Sequence, residues 1–274
     1  MHNLRGRSAV LTGASYGVGP HIARALASEG VNVALAARSA PELERLAREI
    51  STADVRAVPI AVDLATGPSR EALVARAEAE LGPIQILVNN AGAHHGGQLR
   101  LRTSADIEQI TQLNLIAPIE LTRLLLPSMM ERRSGHIVHV ASLAGKVPMP
   151  FFSLYTATKY GLVGFNHALQ AELRGTGVHS SVVCPGSLFG EGMWARLGGG
   201  VHPALGIARP ERVARAVIDA MRYGRIEQII NPRPVRPVIA LWGVAPRAAH
   251  ATYQLLGIET FFRKAAERIK SIDR

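Results

Sequence analysis

Tyr155 and Lys159 stand four residues apart in Ser153-Leu-Tyr155-Thr-Ala-Thr-Lys159. That spacing puts both side chains on one face of a helix. An ammonium beside a phenol favours the phenolate and lowers its pKa toward working pH. Ser142 follows the apolar run from Ile137 to Ala141, at the end of a strand, where its hydroxyl can donate to a carbonyl oxygen. Together the three fit a general acid/base site that moves a proton while a hydride moves elsewhere. An ordinary helix surface also carries Tyr-x-x-x-Lys pairs, so the weight of this one rests on the elements that position it.

The first of those elements is Ser8–Thr12, a short strand that runs without a gap into Thr12-Gly13-Ala-Ser15-Tyr16-Gly17-Val18-Gly19. Ile22, Ala23, Leu26 and Ala27 then recur at helical spacing. Strand, glycine-rich turn and helix in that order let a backbone approach a pyrophosphate, with the helix N-terminus adding free N–H groups. Glycines that merely close a tight turn are the plainer alternative. Val31–Ala37 is the second strand. Enzymes selective for NAD place an acid at its end to bind the ribose 2′-hydroxyl. Here Ala37 is followed by Arg38 and Ser39, and a guanidinium with no acid nearby suits the 2′-phosphate of NADP(H). Ser39 has a second job open to it, because Ser39-Ala-Pro-Glu42 forms a capping box for a helix running to about Ile50.

A third strand, Val55 to Val62, ends in Asp63-Leu64, and a helix follows from about Ser69 to Leu81. Ile84–Val88 is the fourth strand and runs into Asn89-Asn90-Ala91-Gly92, whose amides can stitch strands together and face a ligand crevice. His94 and His95 lack a third ligand, so no metal site is expected. A long helical pattern from Ser104 to about Arg132, interrupted near Pro118, contains Asn114 between two leucines. Asn114 is either a satisfied core amide or part of a site. Val178–Cys184 is the sixth strand, stopped by Pro185-Gly186; a helix from Pro210 and a last strand at Ile226–Ile230 complete the alternation. The connection 187–209 spaces Phe189, Met193 and Trp194 with glycines and suits a mobile lid over a pocket. The alternation predicts a three-layer, doubly wound α/β fold over residues 1–230, with about seven strands in one parallel sheet.

Composition excludes several classes. The chain has 274 residues, of which 47% are apolar, enough for one large domain. The only cysteine is Cys184, and no signal-peptide core or membrane span is present, so a cytoplasmic setting is expected. The net charge of +10 comes from 31 basic residues, 27 of them arginines scattered along the chain. No basic stripe interleaves with aromatics, so nucleic acid is not an expected partner.

Thr-Gly-x-x-x-Gly-x-Gly over 12–19, Asn-Asn-Ala-Gly over 89–92, Asn114, Ser142, Tyr155-x-x-x-Lys159 and Pro185-Gly186 together resemble the short-chain dehydrogenase/reductase family, over roughly residues 5–230. The resemblance implies hydride exchange between a nicotinamide and a carbonyl/alcohol carbon, with Tyr155 as acid/base. It implies that Lys159 lowers the Tyr155 pKa and binds the nicotinamide ribose, that Ser142 holds the substrate oxygen, and that Asn114 places a water in a proton relay. It further implies that the loop from Gly13 to Gly19 carries the pyrophosphate. Asp63 and Leu64 would flank the adenine, Asn90 to Gly92 would line the cofactor crevice, and Pro185, Gly186 and Ser187 would lie near the cofactor amide. Relatives of this kind are commonly homodimers or homotetramers. Two positions depart from the pattern. Tyr16 stands where many NADP-using relatives carry a basic residue, and Ser187 is only a substitute for a threonine that contacts the cofactor amide.

The side chains of Phe151, Phe152, Phe189, Met193 and Trp194 either favour a hydrophobic substrate, a lipid-like, steroid-like or aromatic ketone, or simply pack the core. A sensor that binds NADP(H) without turnover is the rival, and an intact Ser/Tyr/Lys/Asn set argues against it. Residues 231–274 form an extension with a proline-rich connector to Pro237, an apolar segment at 238–245 and a basic amphipathic helix presenting Ile258, Phe261, Phe262, Ala265 and Ile269 on one face. Two readings of the extension stand: peripheral contact with an anionic membrane through 238–270, or packing on the chain's own domain or a partner subunit to close the pocket.

Overall fold

Seven strands lie parallel in the central sheet of the computed structural model, which describes residues 3–94, 96–188 and 206–272, with side chains to Arg268. They are β1 (Ser8–Thr12), β2 (Asn32–Ala37), β3 (Ala57–Ala61), β4 (Ile86–Asn89), β5 (Gly135–Val140), β6 (Val178–Pro185) and β9 (Glu227–Ile230), in the order β3-β2-β1-β4-β5-β6-β9. A separate two-stranded pair joins β7 (Ser187–Leu188) to β8 (Ile207–Ala208). The strand order reverses between β1 and β4, and a crevice opens beyond the strand ends at such a switch point.

Helices cover both faces. α1 (Val18–Ser28), α2 (Ala40–Ile50) and α7 (Pro210–Tyr223) bury Ile22, Leu26, Leu43, Val213 and Val217 against one side of the sheet. α3 (Gly67–Leu81), α5 (Ala117–Glu131) and α6 (Ser153–Glu172) bury Leu73, Leu121, Leu125 and Leu169 against the other. β1 and β5 are buried along their whole length, as strands covered on both faces must be.

Several local expectations are corrected. The break in the long helical pattern lies before Pro118, at a π-turn over Gln112–Ile116 between α4 (Ser104–Thr111) and α5, where the Ala117 N–H reaches back to Gln112 O. Pro118 sits in the first turn of α5, directly after the wide turn. Ser39 is the N-cap of α2, but its hydroxyl turns to the Glu42 carboxylate and makes no bond to the helix backbone. The connector ends earlier than expected, because Pro237 lies in the first turn of α8 (Arg236–Val244), a position proline tolerates.

α8 is followed by α9 (Pro246–Leu255) and α10 (Ile258–Ile272). Ile258, Phe262 and Ala265 of α10 pack with Tyr253 of α9 and Phe152. Three of the five residues of the predicted amphipathic face are thus buried on the chain's own body, and the side chain of Ile269 lies outside the described residues. Among the described residues no helix is long and apolar enough to cross a membrane.

Candidate active site

A cavity of about 630 Å³ runs along the carboxyl ends of the strands from Arg38 to Tyr253. Its floor is set by the turn after β1. Gly13 and Gly17 have φ of 65° and 63°, and a Cβ on Gly13 would come within 2.7 Å of Ala91 Cα. Gly19 does not line the cavity; a side chain there would strike Gly13 O at 2.1 Å, so its role is close packing of α1 under the loop. Asn90 ties the loop down: its Nδ2 donates to Thr12 O at 3.1 Å and Gly13 O at 3.0 Å. Thr12 Oγ1 in turn accepts from the N–H groups of Asn90 and Ala91, each at 3.0 Å. Asn89 faces the other way, into the core, where its amide meets His139 Nδ1 at 3.2 Å.

Ser15, Tyr16 and Val18 line the same end, with Ala37, Arg38 and Ser39 beyond β2. Asp63 and Leu64 form the wall after β3, where Asp63 Oδ1 accepts from Ala65 N–H at 3.0 Å. Ala91, Gly92, Pro185, Gly186 and Ser187 complete the channel. The channel is long and glycine-floored, has the Arg38 guanidinium among its lining together with Glu42 and Asp63, and carries backbone N–H groups at the start of α1, which fits a nicotinamide dinucleotide.

At the opposite end Ser142, Tyr155 and Lys159 share the cavity. Ser142 is in extended conformation after β5 and accepts a hydrogen bond from Ala144 N–H at 3.1 Å. Lys159 Nζ donates to Val140 O at 3.1 Å and lies 5.7 Å from the centre of the Tyr155 ring. Burial pulls the Lys159 ammonium down to about 8. Burial also pushes the Tyr155 phenol up, against the Ser142 hydroxyl, which pulls it back. The protein's own groups therefore hold the phenol neutral, contrary to the lowering expected from the Tyr/Lys spacing. A neutral phenol is a proton donor, the form needed when a carbonyl is reduced.

Asn114 is fully buried and does not line the cavity. Its Oδ1 accepts from Ala93 N–H at 2.8 Å, while its Nδ2 donates to Ala93 O at 2.8 Å and to Thr158 Oγ1 at 3.2 Å. Its amide thus fastens the loop after β4 to α6. A Cβ on Gly92 would lie 3.3 Å from Asn114 Oδ1 and 3.5 Å from Lys159 Nζ, so Gly92 leaves the space above both groups open.

The expected substrate wall is only partly met. Phe152 is wholly buried beneath Phe262, with ring centres 6.1 Å apart, and does not reach the cavity. Phe151 lines a neighbouring groove instead. Phe189, Met193 and Trp194 lie outside the described residues. Val147, Met149, Tyr253 and Phe262 form the apolar end of the cavity, and of these only Phe262 was named from the sequence, on the apolar face of the extension. The signal for Phe262 was its place on the apolar face of α10; that for Tyr253 was absent.

The sequence matches the family described as short chain dehydrogenase over residues 7–196. It is 40% identical to ketoacyl reductase HetN of Nostoc sp., over 98% of this chain and 96% of that protein. It is 38% identical to a putative ketoacyl reductase of Streptomyces coelicolor, over 65% of this chain and 69% of that one. Among solved structures it resembles a metagenomic short-chain oxidoreductase in complex with NADP, at 34% identity and a TM-score of 0.72 over 84% of this chain and 99% of that one. It also resembles L-sorbose reductase from Gluconobacter frateurii complexed with NADPH and L-sorbose, at 25% identity and a TM-score of 0.80 over 86% of this chain and 98% of that one. With the seven-stranded parallel sheet and the cavity at its switch point, these similarities mean that the chain belongs to the short-chain dehydrogenase family of oxidoreductases.

Proposed function

We propose that the protein uses NADPH to reduce the carbonyl of an apolar small molecule to an alcohol, with Tyr155 as the proton donor. The observation that carries this reading is the single cavity joining Arg38 at one end to Ser142, Tyr155 and Lys159 at the other. Bound NADPH supplies the hydride for the carbonyl carbon. The Ser142 and Tyr155 hydroxyls hold the carbonyl oxygen, and the Tyr155 proton passes to that oxygen as the C–O bond becomes single. Lys159 meets the ribose and stabilises the phenolate left behind, regaining full charge as negative charge develops beside it. Asn114 acts as a positioning residue through Ala93 and Thr158. Arg38 pairs with the 2′-phosphate, and the absence of an acid at Ala37 removes the group that would select NAD.

Residues 231–274 enter this reading as the cover of the substrate end, supported by Tyr253 and Phe262 in the cavity wall. The ketoacyl reductase names of two relatives favour a ketone on a carbon chain over a sugar. Oxidation of NADPH and NADH across a panel of ketoacyl thioesters, aliphatic ketones, aromatic ketones and L-sorbose tests the proposal. Turnover of the apolar ketones with NADPH is expected. NADPH binding without oxidation across the whole panel would hand the case to a sensor.

A further inference from the structure

The loop before α6 divides the substrate end into two spaces. A second depression of about 590 Å³ lies on the far side of that loop, and Met149 and Tyr253 line both it and the main cavity. Thr156, Ala157 and Tyr160 form one of its walls, a face of α6 adjoining the one that carries Tyr155 and Lys159. Phe151 and Trp242 close it, so its surface is mostly aromatic and aliphatic. Ser153 and Thr156 of α6, with His250 of α9 and Glu259 of α10, add polar groups to its lining.

The dividing loop is held in an unusual conformation. Phe151 has φ of 64°, a region that bulky side chains rarely enter. Its carbonyl accepts from Gly97 N–H at 2.7 Å, and the Arg263 guanidinium of α10 lies 5.7 Å from its ring centre. Met149 N–H donates to Thr156 Oγ1 at 3.2 Å, and Phe152 N–H closes a turn onto Met149 O at 3.1 Å. Strain maintained by contacts from three other segments marks a position whose geometry is over-determined. Here that geometry places the flexible Met149 side chain between the two spaces, where it can yield to an elongated ligand.

We infer that this groove seats the aliphatic chain of the substrate, so that the substrate class is a long-chain ketone or ketoacyl compound. The carbonyl lies at Tyr155, and the chain passes between Met149 and Tyr253 into the groove under Trp242. The inference rests on the carbonyl-reduction reading of the main cavity. Met149 and Tyr253 wall both spaces, and the lining of the groove is mostly apolar, which suits an alkyl chain.

Each methylene that leaves water adds about fourfold to kcat/KM. Across butanone, octanone and dodecanone with NADPH, kcat/KM should therefore climb by orders of magnitude. In Ala157→Phe, which places a ring in the groove from an exposed helix position, the climb should level off at shorter chains. Tyr160→Ala, which enlarges the same wall, should extend it. A flat series in the wild type overturns the inference while leaving carbonyl reduction intact. So does a climb that both variants leave unchanged, because the chain then runs elsewhere. If no ketone is reduced, the proposed function fails and calorimetry decides the groove by itself. Dodecanol binding to the NADPH complex that weakens at least tenfold in Ala157→Phe supports the groove, and equal binding overturns it.

Discussion

The two ends of the main cavity are built on opposite terms. The Arg38 end, with Ser142, Tyr155 and Lys159, is carried by the sheet, on the tips of β1, β2, β4 and β5 and the first turns of α6. There the protein buries groups that prefer water: an ammonium at Lys159, a phenol at Tyr155 and an amide at Asn114. The other end is walled by Tyr253 of α9, Phe262 of α10 and the loop before α6, and buries apolar surface, Phe262 and Ile258 against Phe152. One region costs stability to gain chemistry, and the other contributes stability while shaping what can enter. Substitutions should therefore separate by region: loss of chemistry without loss of fold at the sheet end, and loss of fold or selectivity without loss of cofactor at the helical end.

The sharpest separation is expected at Tyr155. Tyr155→Phe should lower kcat by ~10²–10⁴-fold, the usual worth of a general acid, while NADPH affinity by fluorescence titration stays within a fewfold of wild type. At the helical end, Phe262→Ala should lower stability by ~3–5 kcal/mol in urea denaturation, because the cavity left against Phe152 cannot be refilled from the sheet. The folded fraction should still bind NADPH normally, and its KM for an apolar ketone should rise. If Phe262→Ala impairs NADPH binding as severely as ketone binding, the two ends are not separable as drawn.

These two positions also mark what the sequence disclosed. The glycine turn, Asn90, Ser142 and the Tyr155/Lys159 pair could be read because each depends on a few neighbours in the chain: a turn that needs positive φ, or a helix that repeats every turn. Tyr253 and Phe262 reach the cavity from about a hundred residues beyond Tyr155, and nothing local to them says which surface their helices will cover. Phe152 was misplaced for a related reason. It looked like pocket lining because it precedes the catalytic helix, yet the left-handed Phe151 turns the chain and sends Phe152 into the core. Ser39 carried a capping signal, but its hydroxyl donates to the Glu42 carboxylate and accepts no α2 backbone N–H.

Smaller effects refine the picture. Arg38→Ala should reduce the preference for NADPH over NADH by roughly ten- to 150-fold in kcat/KM, the worth of one charge-assisted contact at ~1.5–3 kcal/mol. An unchanged ratio would remove Arg38 from cofactor selection. The buried ammonium yields the subtlest test. Burial lowers Lys159 from 10.5 to about 8 in the folded chain, so between those values the unfolded state binds more protons than the folded state. Stability of the cofactor-free protein should gain a rising component over that range, with a slope of at most ~1.4 kcal/mol per pH unit from this one group. Lys159→Met should lose that component and be more stable than wild type near neutral pH, while being catalytically poor. Chemical denaturation at pH 7 and pH 10 reads both.

The π-turn at Gln112–Ile116 acts as a stored change of phase. Each α-helical residue advances the helix by about 100°, so the extra residue in the wide turn sets the angular offset between the two helices it joins. On one side of that offset Ile110 points into the body of the protein; on the other Leu121, Leu125 and Met129 face the sheet. Asn114 sits inside the turn, clasped to Ala93. Removing one residue here would leave two well-formed helices whose buried faces no longer agree, or a correctly seated α5 with the amide swung off its loop. Around Asn114 the segment can drift in composition but not in length, and a deletion of a single codon would be more damaging there than most substitutions.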